Sequence, residues 1–177
     1  MKSGSMHTSR LTFRPLLKSD AANLFMMDAD PLVMRYLGNN PINNIEEVYH
    51  YLENIKQQYR NNGIGRWAVI ENETNAFVGW AGIKFLDVLT NGHINFYDIG
   101  YRFLPEFWGK GYATECTKAW IDYAKLNMNI HELFAITHID NLASQKVLKK
   151  CGFVQKNTFP DSTHGEEIDC IWFELKW

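Results

Sequence analysis

The order of strand-like and helical segments in this 177-residue chain predicts a mixed α/β fold, in which a twisted sheet carries helices on both faces. Three strand-like segments follow one another between residues 66 and 104, and helices and strands then alternate to the C-terminus. Consecutive strands favour antiparallel pairing, whereas a strand–helix–strand unit favours a parallel pair. Hydrophobic residues make up 46% of the chain and charged residues 21%, so we predict a single globular domain over residues 10–177.

The first third of the chain is predicted to contain one strand and three helices. In order, they are a strand over residues 11–16, a helix from Ser19 or Asp20 to about 29, a short helix from Asp30-Pro31 to about 37, and a third helix from about 46 to 62. Serine, aspartate and proline at these starts favour helix initiation, and Gly63 favours the end of the third helix. That helix has an apolar stripe at spacings of three and four residues, formed by Tyr49, Leu52, Ile55 and Tyr59.

The rest of the chain is predicted to build most of the sheet. The elements are strands over 66–71, 77–86 and 94–104, a helix over 111–128, a strand over 133–139, a helix over 141–151, and strands over 153–156 and 168–176. Turns rich in Asn and Gly separate the first three strands. The segment 133–139 is mostly apolar, which indicates a central strand with both faces covered.

Composition and charge argue against several functional classes. A net charge of −2 and a pI of about 6.3 disfavour a broad nucleic-acid surface. No apolar run is long enough to span a bilayer and no signal-peptide pattern opens the chain, so no membrane partner is expected. The cysteines, Cys116, Cys151 and Cys170, are odd in number and widely spaced, which disfavours disulfides and a zinc site and fits a reducing, cytoplasmic compartment. We expect no metal, and residues 1–9 to be disordered or tag-like.

The segment between the strand 94–104 and the helix at 111 has the features of a phosphate cradle. Gly109 and Gly111 let the backbone approach a bulky group, and the helix start beyond them offers free N–H groups at the positive end of the helix dipole. Lys110 is followed by glycine instead of serine or threonine, so a P-loop does not fit. A dinucleotide fingerprint fits weakly, and a plain strand-to-helix turn is the remaining alternative.

Four short sequences lie around and after this segment: Ile99-Gly100-Tyr101, Trp108-Gly109-Lys110-Gly111-Tyr112-Ala113-Thr114-Glu115, Asn141-x-x-Ser144 and Gly152-Phe153. Together they resemble the GNAT superfamily of acetyl-CoA-dependent N-acetyltransferases, and its RimJ/RimL-type branch in particular. The opening Arg10-Leu-Thr-Phe-Arg14-Pro-Leu is also similar to this branch, and the resemblance covers residues 10–177. It implies the GNAT fold, a mostly antiparallel sheet in which two central parallel strands, here 94–104 and 133–139, splay apart.

The resemblance implies acetyl-CoA as cosubstrate and assigns residues to it. The strand backbone would pair with the peptide-like pantetheine arm, and the glycine turn would hold the pyrophosphate. Trp108 stands where the superfamily pattern has Gln or Arg, which is common in the branch and leaves no guanidinium there for the phosphates. Asn141 is expected to cap its helix and to bind the CoA arm. The full set is Tyr101, Arg102, Phe103, Trp108, Gly109, Lys110, Gly111, Tyr112, Ala113, Thr114, Asn141 and Ser144.

Catalysis requires an oxyanion donor and a donor for the departing thiolate of CoA. A backbone N–H near Tyr101 is the expected oxyanion donor. Many GNAT enzymes have a tyrosine acid where this chain has Leu148, which cannot donate, so Ser144 is the expected substitute, with a simple helix-start role as the alternative. Asp98 is the candidate base, and it could instead pair with Arg102 on the same strand face. Further candidates for the base are Glu106 and His138.

The predicted reaction is direct attack of a primary amine on acetyl-CoA, without a covalent enzyme intermediate. The favoured acceptor, by analogy with the branch, is a protein N-terminal α-amine. The alternatives are a small-molecule amine, such as a polyamine, an aminoglycoside or an amino-acid-like compound, and a non-catalytic acetyl-CoA-binding protein. A homodimer is compatible with these readings. The acceptor side is predicted to include Asp28, Tyr36, Trp67 and Trp80.

Overall fold

The computed structural model describes residues 4–162 and 167–177, which form one eight-stranded sheet with helices on both faces. The strands in chain order are β1 (Met6–His7), β2 (Leu11–Pro15), β3 (Arg66–Glu71), β4 (Phe77–Leu86), β5 (Phe96–Phe103), β6 (Glu132–His138), β7 (Val154–Asp161) and β8 (Ile168–Lys176). They lie in the order β1-β2-β3-β4-β5-β6-β8-β7. Within the described chain β5 and β6 pair in parallel and the other neighbouring strands pair antiparallel.

The helices flank the sheet, and several of them begin or end at residues that favour those positions. They are α1 (Ala21–Asp28), α2 (Pro31–Met34), α3 (Ile45–Asn62), α4 (Tyr112–Asn127) and α5 (Leu142–Lys150). The Asn44 side chain caps α3 by accepting from the backbone N–H of Glu46 at 3.0 Å, and Gly63 ends it with a left-handed φ of 68°. Across residues 4–162 and 167–177, no helix has the length and apolarity needed to cross a bilayer.

The two faces of the sheet carry different helices. On one face, here called the α4 face, the buried Trp120 of α4 packs edge-on against Trp67 of β3, with ring centroids 5.3 Å apart. On the other, the α1 face, Arg102 of β5 pairs with Asp28 of α1 at 2.7 Å. Since side chains alternate along a strand, Tyr101 lies on the α4 face, while Asp98 shares the α1 face with Arg102.

The parallel strands β5 and β6 part shortly after they meet. Their one register pair is Asp98 with Phe134, and no further pair is formed toward Phe103 and His138 within the described chain. The antiparallel partners of β5 and β6, in contrast, pair along their whole length. The predicted splayed parallel pair is confirmed, and the gap between the strands opens toward the start of α4.

Two edge regions differ from the sequence-based expectation. Met6 and His7 pair with β2, so this part of the segment expected to be disordered lies in the sheet, while residues 1–3 lie outside the described residues. A two-residue strand leaves no periodic signal, and its pairing is supported by a 2.9 Å contact between the side chains of His7 and Thr12. At the other edge β7 extends to Asp161, beyond the predicted end at residue 156. Its mostly exposed residues lack the apolar alternation that would have indicated the full length.

Candidate active site

The turn between β5 and α4 leaves space beside the backbone of its two glycines. Gly109 and Gly111 both have left-handed backbones, with φ of 74° and 81°. A Cβ atom on Gly109 would meet nothing within 4 Å, and one on Gly111 would meet the Arg10 guanidinium at 3.6 Å. Gly111 is the N-cap of α4, so the first N–H groups of the helix beyond it have no partner within the helix. The turn therefore has both the free donors and the room that a pyrophosphate needs.

Arg10, the residue before β2, holds this turn in place. Its Nη1 donates to the carbonyl of Lys110 at 2.8 Å and its Nε donates to Glu115 at 2.7 Å. The guanidinium also lies 4.6 Å from the centre of the Tyr112 ring. In the sequence Arg10 stands out only as part of a motif, because its partners lie about 100 residues away. Arg10 thus brings a guanidinium to this turn from the residue before β2. The side chain of Trp108 has no positive charge to offer there.

The side chain of Arg10 is expected to strengthen acetyl-CoA binding by holding the turn and by its charge. Arg10→Ala should weaken acetyl-CoA affinity about five- to tenfold, the worth of one net hydrogen bond near a charged ligand. Isothermal titration of the purified protein with acetyl-CoA measures this. The matched control is Arg60→Ala, which removes an exposed ion pair with Glu53 on α3. If Arg10→Ala bound acetyl-CoA as tightly as the control, Arg10 would not be part of the binding site.

The start of α4 is also tied to the end of β3. The hydroxyls of Thr74 and Tyr112 each donate to Glu71 at 2.5 Å, and they hold the pKa of this carboxyl below its ordinary value. The Lys110 ammonium lies 3.8 Å from the same carboxylate and 4.8 Å from the centre of the Phe107 ring. Lys110 is therefore placed at the turn with its side chain half exposed.

Trp108 and Phe103 are linked to each other. The indole N–H of Trp108 donates to the carbonyl of Phe103 at 2.8 Å, although Trp108 is about half exposed. The Phe103 carbonyl therefore already accepts one hydrogen bond. The backbone roles predicted for Tyr101, Arg102 and Phe103 toward the pantetheine arm stay predictions.

A cavity of about 50 Å³ lies where β5 and β6 part, beneath α4 and α5. It is lined by Ile99, Gly100, Tyr101, Thr117, Ala135, Ile136, Ser144 and Leu148. The Tyr101 hydroxyl donates to Ser144 Oγ across a long 3.4 Å contact. The structure thus brings Tyr101 and Ser144 together at the gap between the strands, with Leu148 as an apolar wall.

Asn141 caps α5 as predicted. Its side-chain oxygen accepts from the backbone N–H of Ser144 at 3.1 Å. Ser144 is therefore fixed in the first turn of the helix, beside the cavity. The contact of Asn141 with the CoA arm stays a prediction.

Asp98 does not pair with Arg102, the alternative weighed above. Arg66 of β3 donates through Nη2 to the Asp98 carboxylate and through Nη1 to the Asp98 carbonyl at 3.0 Å. Both side chains are buried, and Arg102 pairs with Asp28 instead. The Arg66 guanidinium lies against Gly100, where a Cβ atom would stand 2.9 Å from Nη2. The glycine thus makes the room for this ion pair.

The remaining candidates are spread over the site. His138 Nδ1 accepts from the backbone N–H of Asp140 at 3.0 Å, and its ring lies 5.4 Å from that of Tyr36. Glu106 is exposed in a short 3-10 turn. Trp80 packs between the guanidinium groups of Arg66 and Arg102, each about 5 Å from its ring. Trp67, also predicted on the acceptor side, is buried on the α4 face against Trp120.

Comparison with known proteins gives consistent matches. Residues 10–154 match the model of a family described as acetyltransferase (GNAT) domain. The uncharacterized N-acetyltransferase p20 of Bacillus licheniformis is 28% identical over 173 residues, which cover 97% of this chain and 95% of that protein. The crystal structure of a GNAT-family acetyltransferase from Bacillus anthracis is 25% identical, with a TM-score of 0.77 and 98% of both chains covered.

Two further solved structures share the fold and have different named activities. The spermidine N-acetyltransferase of Vibrio cholerae, in complex with CoA and spermine, is 19% identical, with a TM-score of 0.75 and 96% of both chains covered. The ribosomal-protein-S5-alanine acetyltransferase of Vibrio fischeri is 21% identical, with a TM-score of 0.76, covering 98% of this chain and 96% of that one. At these identities the likeness establishes the fold.

Proposed function

This chain belongs to the GNAT acetyltransferase family and is an acetyl-CoA-dependent N-acetyltransferase, and on that premise we propose that its acceptor is the N-terminal α-amine of a protein. The observation that carries the proposal is the buried ion pair of Asp98 with Arg66. The carboxylate predicted as the base is buried, and one of its oxygens accepts from Arg66, so the ion pair holds it back from an incoming amine. An acceptor that needs little help from a base fits this site best.

The ionisation of amines makes this preference quantitative. An amine attacks only when neutral, and an α-amine with a pKa near 8 is about a tenth neutral at pH 7. A lysine or polyamine amine with a pKa near 10.4 is below about a thousandth neutral at the same pH. An enzyme with a weak base therefore loses far less rate with an α-amine.

The open turn and the parted strands fit acetyl-CoA. The N–H groups at the start of α4 and the Arg10 guanidinium would face the pyrophosphate, in the space left open by Gly109 and Gly111. The free edge of β5 beyond Asp98 would pair with the amides of the pantetheine arm, as an added strand does. These contacts would bring the thioester to the cavity beside Ser144.

The proposed chemistry is direct transfer within this cavity. The neutral amine attacks the thioester carbonyl from the α1 face, and a backbone N–H near Tyr101 stabilises the oxyanion. The Ser144 hydroxyl donates a hydrogen bond to the departing sulfur, since Leu148 has no group to do so. The amine loses its extra proton to water, and no bond between the enzyme and the acetyl group forms.

A small-molecule amine is the second candidate, because a structural neighbour is a spermidine acetyltransferase. A polyamine is recognised by carboxylates that are free to pair with its ammonium groups. On the α1 face, Asp28 and Asp98 are each already paired with an arginine. This arrangement favours an acceptor without extra positive charges, such as the N-terminus of a protein.

Thiol release from acetyl-CoA should depend on a free α-amine. We expect turnover with peptides that have a free N-terminus, and with these kcat/KM should rise about tenfold per pH unit up to about pH 8 and then level off. Ellman-type detection of free CoA measures it. The matched control is the same peptide with a blocked N-terminus and an internal lysine, for which release should stay near the background.

The other outcomes separate the alternatives. Preferred turnover of spermidine or an aminoglycoside would replace the protein acceptor by a small molecule. Tight acetyl-CoA binding without thiol release on any amine of the panel would identify a non-catalytic acetyl-CoA-binding protein.

A further inference from the structure

Two hydroxyl groups meet at the gap between β5 and β6. The Tyr101 hydroxyl, which comes from β5, lies 3.4 Å from Ser144 Oγ, which comes from α5. Both line the cavity in which the thioester is placed by the proposed function. The contact is long for a hydroxyl pair, as hydrogen bonds at an active site often are before the substrate tightens them.

The direction of this hydrogen bond leaves one hydrogen free. When Ser144 Oγ accepts from Tyr101, the hydrogen of the Ser144 hydroxyl can be donated to a third group. The backbone of Ser144 is fixed by the Asn141 cap, which restricts where that hydroxyl can lie. Leu148, one turn along α5, offers only an apolar wall. The third group is then whatever occupies the cavity.

We propose that the Tyr101 side chain is a positioning residue for this reaction: its hydroxyl donates to Ser144 Oγ and so orients and polarises the Ser144 hydroxyl toward the departing sulfur. The proposal rests on the proposed acetyl transfer at this site. Consecutive hydrogen bonds strengthen one another, so a Tyr101–Ser144 chain stabilises a thiolate better than serine alone. The tyrosine that many related enzymes place on α5 is thus replaced by a strand tyrosine that acts through a helix serine.

The atoms and charges of the step balance without a proton from tyrosine. The amine nitrogen forms a bond to the acetyl carbon, the C–S bond breaks, and its electron pair stays on sulfur. The thiolate is held by the Ser144 hydrogen bond and takes a proton from water, while the new amide loses its extra proton to water. Burial raises the pKa of Tyr101 to about 12, so the phenol stays protonated throughout.

The pKa of bound CoA thiol tests the proposal without any acceptor. Thiolate absorbance is followed against pH in the CoA complex, with the CoA-free protein subtracted. We expect Tyr101→Phe to raise the pKa of the bound thiol by about one unit, because a donor to the thiolate is weakened, and acetyl-CoA affinity to change less than about twofold. Where turnover is measurable, kcat should fall about tenfold with KM unchanged. Tyr123→Phe on α4, also half-buried among aromatic rings, is the matched control and should change neither quantity.

A double-variant cycle separates the chain of hydrogen bonds from a structural effect. Ser144→Ala should itself raise the pKa of the bound thiol, and adding Tyr101→Phe should then change nothing more. An unaltered thiol pKa in Tyr101→Phe, or full additivity of the two changes, would overturn the proposal. Phenylalanine keeps the stacking on Phe103, and Ser144→Ala lies at a helix start, so a folding failure of one variant leaves the other informative. Absence of turnover on every amine would contradict the proposed function, while the thiol titration would still decide the role of Tyr101.

Discussion

Gly111→Glu is expected to reduce the affinity for acetyl-CoA by at least about a hundredfold. The new side chain would begin 3.6 Å from the Arg10 guanidinium and would bring a carboxylate to the turn that is proposed to hold the pyrophosphate. Two unit charges about 4 Å apart near a protein surface repel by about 4 kcal/mol. The left-handed φ of 81° adds strain for any residue with a Cβ, about 1–2 kcal/mol. Isothermal titration with acetyl-CoA measures the loss.

Two variants isolate the charge at the turn from the strain. Gly63→Glu introduces the same side chain at a left-handed φ of 68°, at the end of α3 and with no heavy atom within 4 Å of the new Cβ. It should lose stability and keep its affinity. Gly111→Ala carries the strain alone, so its affinity should lie between those of the wild type and Gly111→Glu. Wild-type affinity in Gly111→Glu would mean that the pyrophosphate lies elsewhere.

The sequence predicted best those elements whose signal is local. The bounds of β3, β4 and β8 were predicted to the residue, since their patterns end at clear turns. The splayed strand pair and the glycine turn before α4 were also predicted, because they depend on short motifs in which glycine and a helix start are adjacent. The capping role of Asn141 was also predicted, since its partner Ser144 lies only three residues away.

The contacts that the sequence did not reveal join residues far apart in the chain. The Arg66–Asp98 pair depends on the register of three strands and on a glycine at position 100 that leaves room for the guanidinium. Arg10 reaches the Lys110 carbonyl because the start of β2 lies beside the start of α4. The approach of Tyr101 to Ser144 likewise depends on how α5 lies over the gap. Such partners are set by tertiary packing, which no local pattern records.

Asp98→Ala is expected to lower the free energy of unfolding by about 3–5 kcal/mol, as removal of one partner of a buried ion pair does. The substitution leaves the Arg66 guanidinium buried between Trp80 and Gly100, with only carbonyl oxygens to accept from it. Urea denaturation followed by circular dichroism measures the change. Glu53→Ala, which breaks exposed ion pairs on α3, should leave it nearly unchanged. The double variant Arg66→Met/Asp98→Leu should recover much of the loss, since no buried charge is left unpaired.

A second substitution at position 98 distinguishes a structural role of Asp98 from a catalytic one. Asp98→Asn keeps an oxygen that can accept from Arg66, so it should cost less stability than alanine, and turnover per folded molecule should fall less than about tenfold. Asparagine cannot take up a proton at neutral pH, so a base at this position would lose its function entirely. A fall of about a thousandfold or more, with stability and acetyl-CoA affinity kept, would show that Asp98 leaves Arg66 during turnover and acts as the base. In that case the Arg66–Asp98 ion pair would no longer favour an α-amine acceptor. Amines of higher pKa would then be equally good candidates.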